Sequence, residues 1–227
     1  MEGIWKARRH SALDFDGIDD YCNCGSDSSL DIIDAITISA WICPKSLSGT
    51  NWNAVVVSKA GGNGGYRLVV RDSLATFSYG NGAEYKHVHL SPGVDVNRWW
   101  HVAATWDKQT VNIHVNGIRY SKAVIDNWVG SSTHLVVARD NMGGGTYFNG
   151  FIASVRIYNR ALSEAEVKYL YYNPDDPLDT DHLVLWLHPG SIDTDAGYWW
   201  DISGNDNHGQ IFGATKVSLV SPEVTVL

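Results

Sequence analysis

The chain has 227 residues, of which 44% are hydrophobic and 19% are charged, as in ordinary folded proteins. Asp+Glu is 25 and Lys+Arg is 17, and the resulting net charge of −8 argues against nucleic acid or an anionic membrane surface as the partner. No apolar run is long enough for membrane insertion. The first residues lack a secretory signal pattern, which predicts synthesis in the cytoplasm or a signal already removed.

Short strands dominate the pattern in chain order. An alternating segment at 36–42 is followed by β-rich segments at 55–57, 66–70, 75–79, 100–106, 111–115, 134–139 and 151–158. Asn116-Gly117, with a strand on each side, is a strong hairpin signal. Many short strands at regular spacing predict an all-β, antiparallel sandwich or jelly roll.

One helix is predicted near the end of the strand-rich region. Ser163 and Glu166 have the spacing of a capping box, and the helix should end by about Tyr171, before Asn173-Pro174. A polar linker at 175–181 follows. Beyond it, 183–187 and 210–212 read as strands and 201–209 as turns.

Four stretches together resemble a known family. They are Ala12-Leu13-Asp14-Phe15-Asp16-Gly17, Ile36-Thr37-Ile38-Ser39-Ala40-Trp41, Trp99-Trp100-His101-Val102-Ala103 with His114-Val115-Asn116-Gly117, and the segment 149–166. These stretches cover roughly residues 12–172 and resemble the laminin-G-like, concanavalin A-like lectin and glucanase jelly roll. The resemblance implies a two-sheet antiparallel sandwich with one short helix, in a domain spanning 1–173.

The tail at 174–227 carries a further resemblance. Residues 183–187 and 201–214 are similar to the segment that usually precedes the first strand of this family. Two arrangements follow. The tail either completes the same sandwich in permuted order or docks on a neighbouring copy by strand exchange.

A calcium site is the first candidate. Four aspartates crowd the end of the first predicted strand: Asp14, Asp16, Asp19 and Asp20. The resemblance implies a structural Ca²⁺ here, helped by an acidic residue in the last strand, where this chain has Ala153 or Ser154. The expected ligands are Asp16, Asp20 and backbone oxygens near Gly17. The alternative is that these aspartates only cap turns.

Aromatic residues in predicted loops are the second candidate, because a flat ring suits the C–H face of a sugar and also suits a protein partner. The candidates are Trp52, Tyr79, Tyr85, Trp128 and Tyr147. The alternative is packing, which we expect for the tryptophans that lie in strand patterns, namely Trp41, Trp99, Trp106 and Trp186.

Catalytic and redox patterns are weak. Glucanases of this fold use closely spaced glutamates on one strand, and the glutamates of this chain do not form that motif. His87 and His89 would need a third ligand to hold zinc. The three cysteines, Cys22, Cys24 and Cys43, are not a disulfide framework, and the sequence leaves open whether Cys43 reaches either of the others. We therefore predict that the protein is not an enzyme.

Two functions remain. The first hypothesis is a structural protein of a larger assembly, such as a virion or capsid decoration component, which binds protein partners or copies of itself. The alternative is a calcium-assisted, lectin-like adhesion module that binds glycans. Both predict action at a virion or cell surface without membrane insertion.

Overall fold

The computed structural model describes residues 10–47, 54–124, 128–142 and 146–219, which form sixteen β-strands, one α-helix and one 3₁₀-helix. The strands are β1 His10–Asp16, β2 Tyr21–Asn23, β3 Ile36–Pro44, β4 Ala54–Ser58, β5 Tyr66–Arg71, β6 Leu74–Gly80, β7 Tyr85–Gly93, β8 Trp100–Trp106, β9 Thr110–Val115, β10 Ile118–Ala123, β11 Val136–Val137, β12 Asn149–Tyr158, β13 Leu183–Asp193, β14 Tyr198–Asp201, β15 Gly209–Phe212 and β16 Thr215–Leu219. The helix α1 is Glu164–Tyr172, and the 3₁₀-helix is Ser28–Leu30.

The strands form two layers that are continuous through one hairpin. One layer has the order β10-β9-β8-β3-β12-β13, and the other has the order β14-β15-β2-β11-β4-β5-β6-β7. The pairings are antiparallel, and the β13–β14 hairpin joins the layers. β6 and β7 pack across the core from β9. The predicted all-β jelly-roll sandwich with one short helix is confirmed.

Local signals account for the turns. Asn116 and Gly117 both have positive φ, at 50° and 77°, as a tight two-residue hairpin between β9 and β10 requires. Ser163 Oγ accepts from the Glu166 backbone N–H, and the Glu166 carboxylate accepts from Ser163 N, so the predicted capping box is present. Helix α1 then packs Val167 and Leu170 onto the outer face of the first layer.

The strands of the tail pair with strands of the same chain. β13 pairs with β12, β15 pairs with β2, and β16 pairs with β1. The Asn207 side chain donates to Val184 O and Ser29 Oγ, both at 3.0 Å, which fastens the tail to the first third of the chain. The domain boundary at 173/174 stays a prediction.

The three cysteines are free and buried, and burial raises the pKa of each thiol. Among the described residues, no helix is both long and apolar enough to cross a membrane.

Candidate functional site

Two of the predicted contact aromatics lie in the core, so their assignment to ligand-facing loops was wrong. Tyr79 is 2% exposed and Trp128 is 7% exposed. Both rings pack against Trp106, with ring centroids 6.3 Å and 4.7 Å away respectively. Trp128 also packs on Tyr66 and Phe77, which makes it part of the sandwich interior and unavailable to a ligand.

The other predicted aromatics have different surroundings. Tyr85 is half-buried, its hydroxyl donates to Gly64 O at 2.7 Å, and the Arg67 guanidinium lies 4.5 Å from its ring centroid. Tyr147 is half-buried and forms a β-bridge with Arg139. Trp52 falls outside the described residues.

The acidic turn after β1 brings three carboxylates together. Oxygens of Asp16, Asp19 and Asp20 all lie within 4.8 Å of one another. Asp16 Oδ1 accepts from Ile18 N at 2.7 Å, and Asp20 Oδ2 accepts from Asp16 N at 2.9 Å. Burial raises the pKa of Asp20, and the charges of Asp16 and Asp19 raise it further against the lowering effect of that hydrogen bond. A divalent cation would relieve this repulsion, so the carboxylates fit Ca²⁺ chemically.

The neighbours of this turn differ from the sequence expectation. Ala153 and Ser154 are buried, and the β12 residue opposite Asp16 is Asn149, whose side chain lies against Gly17. Gly17 has a φ of +79°, which a tight turn at this point requires. The amide of Asn149, rather than an acidic side chain, is therefore what β12 offers beside this turn. The fourth aspartate, Asp14, instead makes an ion pair with Lys45 at 2.6 Å.

An aromatic face that the sequence analysis did not identify lies on the outside of β14, β15 and β2. The outward residues of these strands are Tyr198, Trp200, Gln210, Phe212, Tyr21 and Asn23. Tyr198 and Trp200 stack with ring centroids 4.9 Å apart and planes 19° apart. Phe212 and Tyr21 stack across β15 and β2 at 4.6 Å and 9°. We call this surface the aromatic face.

A groove of about 550 Å³ continues the aromatic face beyond Trp200. Its polar lining includes Ser191, Asp193, Thr194, Asp195 and Lys216. The hydrogen bond from Ala196 N lowers the pKa of the Asp193 carboxylate, and the Trp200 side chain and the Lys216 charge lower it further. The groove therefore presents an ionised hydrogen-bond acceptor beside a half-buried indole ring.

A buried carboxylate holds the turn behind the aromatic face. Asp201 is 5% exposed and accepts from the backbone N–H groups of Trp186, Ser203 and Asn207 at 2.8, 3.0 and 3.0 Å. Asp201 N in turn donates to His208 Nδ1 at 3.1 Å. The His208 ring then meets Trp200 edge-on, with centroids 4.8 Å apart. His208 precedes Gly209, the register partner of Trp199, so it lies beside Trp200 on the outer face and supports the ring from the side.

A guanidinium lies at the opposite end of the aromatic face. Ala138 follows β11 with a φ of +68°, and the next residue, Arg139, stacks 3.9 Å from the Tyr21 ring centroid. Arg139 Nε is buried without a hydrogen-bond partner, and the described part of the chain offers this side chain no ion pair. The terminal N–H groups of the guanidinium, rather than the enclosed Nε, are thus left to donate elsewhere.

The alternation in Tyr198-Trp199-Trp200 was the available signal for this face. Trp199 is fully buried, whereas the two flanking rings are half-buried on the other side of the strand. The alternation alone does not reveal which rings face outward, because that depends on the pairing of β14 with β13 and β15.

Residues 16–168 match a family model for the concanavalin A-like lectin/glucanases superfamily. The match covers more than half of the chain, and the chain belongs to this superfamily. A search of curated protein sequences gave no match. β14, β15 and β16 lie beyond the matched residues, so the aromatic face combines a family strand, β2, with strands of the tail.

Solved structures show the same fold. A Bacteroides ovatus protein for which carbohydrate binding has been suggested superposes with a TM-score of 0.74 at 19% identity; the match covers 95% of this chain and 61% of that protein. The heptameric SAP-like pentraxin of Limulus polyphemus gives 0.55 at 15% identity, covering 75% and 85% of the two chains. The fourth domain of an extracellular arabinanase from Geobacillus stearothermophilus, solved with arabinotriose, gives 0.55 at 20% identity, covering 70% and 76%.

Proposed function

We propose that the protein is a non-catalytic carbohydrate-binding module whose ligand lies on Trp200 and in the adjoining groove. The observation that carries this proposal is the stacked, half-buried pair Tyr198 and Trp200 beside the hydroxyl and carboxylate groups of the groove. An aromatic surface with a few fixed polar groups is the usual composition of a small-ligand site. The lectin-like fold and the carbohydrate-related structural neighbours support this proposal.

The chemistry of the groove supports binding rather than glycoside hydrolysis. A glycosidase needs one carboxylic acid whose raised pKa keeps it protonated near neutral pH. Asp193, which lies against Trp200, has its pKa shifted in the opposite direction. An ionised Asp193 is suited to accept hydrogen bonds from sugar hydroxyls.

Calcium enters the proposal as a structural ion at the acidic turn. The supporting observation is the set of three carboxylates, Asp16, Asp19 and Asp20, within 4.8 Å. An ideal Cβ on Gly213 would lie only 1.8 Å from Asp20 Oδ1, so the backbone that follows Phe212 runs directly against this turn. A bound Ca²⁺ would therefore stiffen the end of the aromatic face without touching the groove.

The assembly hypothesis, including virion decoration, stays a prediction. Carbohydrate binding or a bound sugar in two of the structural neighbours supports a carbohydrate ligand. Light-scattering mass with calcium and with a chelator checks the alternative. A defined oligomer that Trp200→Ala disrupts would assign the aromatic face to self-association. A monomer in both buffers would favour the carbohydrate proposal.

The direct test is a glycan array supplemented with immobilised plant and microbial polysaccharides. We expect binding by the wild type, loss of at least tenfold in Trp200→Ala, and no change in Tyr172→Ala, a matched control on the exposed side of α1. A reducing-sugar assay on each bound polysaccharide should detect no product. Binding that survives Trp200→Ala would overturn the assignment of the site, and released product would overturn the non-catalytic part.

A further inference from the structure

We infer that the ligand is an extended, neutral oligosaccharide or polysaccharide chain, bound along the aromatic face from Trp200 to Tyr21 and Arg139, rather than a single terminal sugar. This inference rests on the proposed function and adds the class of ligand. It also assigns roles to Tyr21, Phe212 and Arg139, which the groove alone does not involve.

The register of the strands sets the length of the face. Tyr198 lies opposite Gln210, and Phe212 lies opposite Tyr21. Trp200 and Tyr21 are therefore separated by two strand spacings across the sheet and by four residues of rise along it. With about 4.8 Å between strands and about 3.3 Å per residue, these steps are about 10 Å and about 13 Å. That diagonal is several times the width of one pyranose ring.

The aromatic rings are distributed along this diagonal. The Tyr198–Trp200 pair occupies one end, and the Phe212–Tyr21 pair occupies the other. Gln210, which is exposed, lies between the pairs on β15. Within each pair the rings stack face to face, so a sugar chain would meet ring edges and the outer faces of Trp200 and Phe212, with the Gln210 amide between the pairs.

The composition and charge of the face favour a neutral polyhydroxylated chain. The outward positions of β14, β15 and β2 carry aromatic and amide side chains and no aliphatic ones. The carboxylates of the acidic turn lie next to Tyr21 in the chain, and Asp193 and Asp195 line the groove. At the two ends of the diagonal these five carboxylates outnumber the two cations, Lys216 and Arg139, so the net negative charge opposes an acidic polysaccharide.

Arg139 supplies donors at the far end. Its guanidinium face rests on Tyr21, and a guanidinium that stacks in this way keeps its N–H edge for hydrogen bonds. Because it makes no hydrogen bond or ion pair within the described residues, a sugar hydroxyl or ring oxygen can become its acceptor. Phe212 and Arg139 cover the two faces of Tyr21, so Arg139 is the residue that would donate to a sugar at this end of the aromatic face.

The test is calorimetric titration with arabino-, xylo-, cello- and manno-oligosaccharides, each from dimer to hexamer. In the series that binds, we expect the hexamer to bind at least tenfold more tightly than the dimer. Phe212→Ala should remove most of this gain while leaving dimer affinity within about twofold, because the dimer needs only the Trp200 end. Trp200→Ala should weaken both ligands, and Tyr172→Ala should weaken neither.

Arg139→Gln is the second variant, because it leaves both aromatic pairs in place and guards against misfolding in Phe212→Ala. Arg139→Gln should also reduce the affinity advantage of the hexamer over the dimer. The melting temperature of each variant checks its fold. Two results would overturn the extended-chain inference while leaving carbohydrate binding intact. One is equal affinity of the wild type for dimer and hexamer, and the other is an undiminished hexamer advantage in both Phe212→Ala and Arg139→Gln. Absence of binding in all four series, and to the polysaccharides from which they derive, would overturn the proposed function together with this inference.

Discussion

The two outer faces of the sandwich both carry aromatic side chains, but one face is covered by helix α1 and the other is open to solvent. On the first layer, Trp41, His101 and Arg156 point outward and are at most 3% exposed, because helix α1 and the segment after it cover them. Trp41 stacks on Tyr171 of the helix at 5.5 Å. On the second layer, the rings of the aromatic face remain half-buried beside a groove.

The difference shows that aromatic content alone does not identify a ligand site. Among the described residues, the covered face has buried ring nitrogens without a hydrogen-bond partner, namely His101 Nδ1 and both nitrogens of His114, so its polar groups are enclosed rather than presented to solvent. On the open face, His208 accepts a hydrogen bond from Asp201 N, and Arg139 makes no hydrogen bond or ion pair with the described residues. Helix α1 thus turns one face into core and leaves the other for function.

Paired tryptophan substitutions should give the largest contrast between the faces. Trp41→Ala removes a buried ring under α1 and should lower the free energy of unfolding by about 3–5 kcal/mol. Trp200→Ala should lower it by only about 1–2 kcal/mol, because this ring is half-buried and loses mainly its contacts with Tyr198 and His208. Urea denaturation measures both. Similar losses of unfolding free energy in the two variants would show that Trp200 is a packing residue and that the two faces do not differ.

Removal of the buried carboxylate behind the open face should have the next largest effect. Asp201→Ala leaves the backbone N–H groups of Trp186, Ser203 and Asn207 without their acceptor. We expect a loss of about 3 kcal/mol in urea denaturation and weaker carbohydrate binding. The exposed neighbour Asp206→Asn is the control, since Asn tolerates the φ of 56° at this position, and it should change stability by less than about 0.5 kcal/mol. A stable Asp201→Ala protein would mean that the turn does not depend on this network.

Acid should weaken the covered face. Burial lowers the pKa of His101 to about 3 and that of His114 to about 4, with the charges of Arg156 and Arg119 adding to the respective shifts. Both rings stay neutral in the folded state, whereas the unfolded chain binds protons below about pH 6.5. The free energy of unfolding should therefore fall by about 1.6 kcal/mol per histidine between about pH 6.5 and about pH 5.

Denaturation at several pH values in that window checks the expected slope. His114→Gln should flatten the dependence, and the exposed His89→Gln should not. His87, whose pKa is lowered to about 4, mainly by burial, adds a contribution of the same sign from the second layer. A pH-independent stability would show that these rings are protonated or accessible in the folded protein.

Calcium binding at the acidic turn, at one end of the open face, should have the smallest effect on stability. If the acidic turn binds Ca²⁺, an ion concentration about ten times Kd should add about 1.4 kcal/mol of stability. Asp20→Asn should abolish the calcium-dependent rise in melting temperature, and Asp72→Asn, on an exposed turn, should preserve it. Identical melting curves in calcium and chelator would show that these aspartates only stabilise the turn.

Local patterns predicted the elements better than the site. The capping box at Ser163 and the hairpin at Asn116 depend on neighbouring residues, so spacing was sufficient to find them. Tyr79 was misassigned, although it shares its side of β6 with buried Ala75 and Phe77, and that alternation places it in the core. Trp128 is buried by rings from three distant strands, a contact that no local pattern contains.

The aromatic face could not be predicted for a related reason. Tyr21 and Phe212 are separated by almost the whole chain and meet only because β15 pairs with β2. The tail was correctly recognised as strand-forming at 183–187 and 210–212, but β14 and β16 were not predicted. Since the face exists only after the tail strands have paired, its members had no common signal in the sequence.

The most direct measurement is an NMR titration that follows the indole N–H resonances as a bound oligosaccharide is added, with the Trp200 signal assigned from Trp200→Phe. We expect the Trp200 resonance to shift with ligand concentration, while those of buried Trp41, Trp106 and Trp199 move little. A titration in which Trp200 stays unchanged while another indole shifts would place the carbohydrate elsewhere and contradict the central claim.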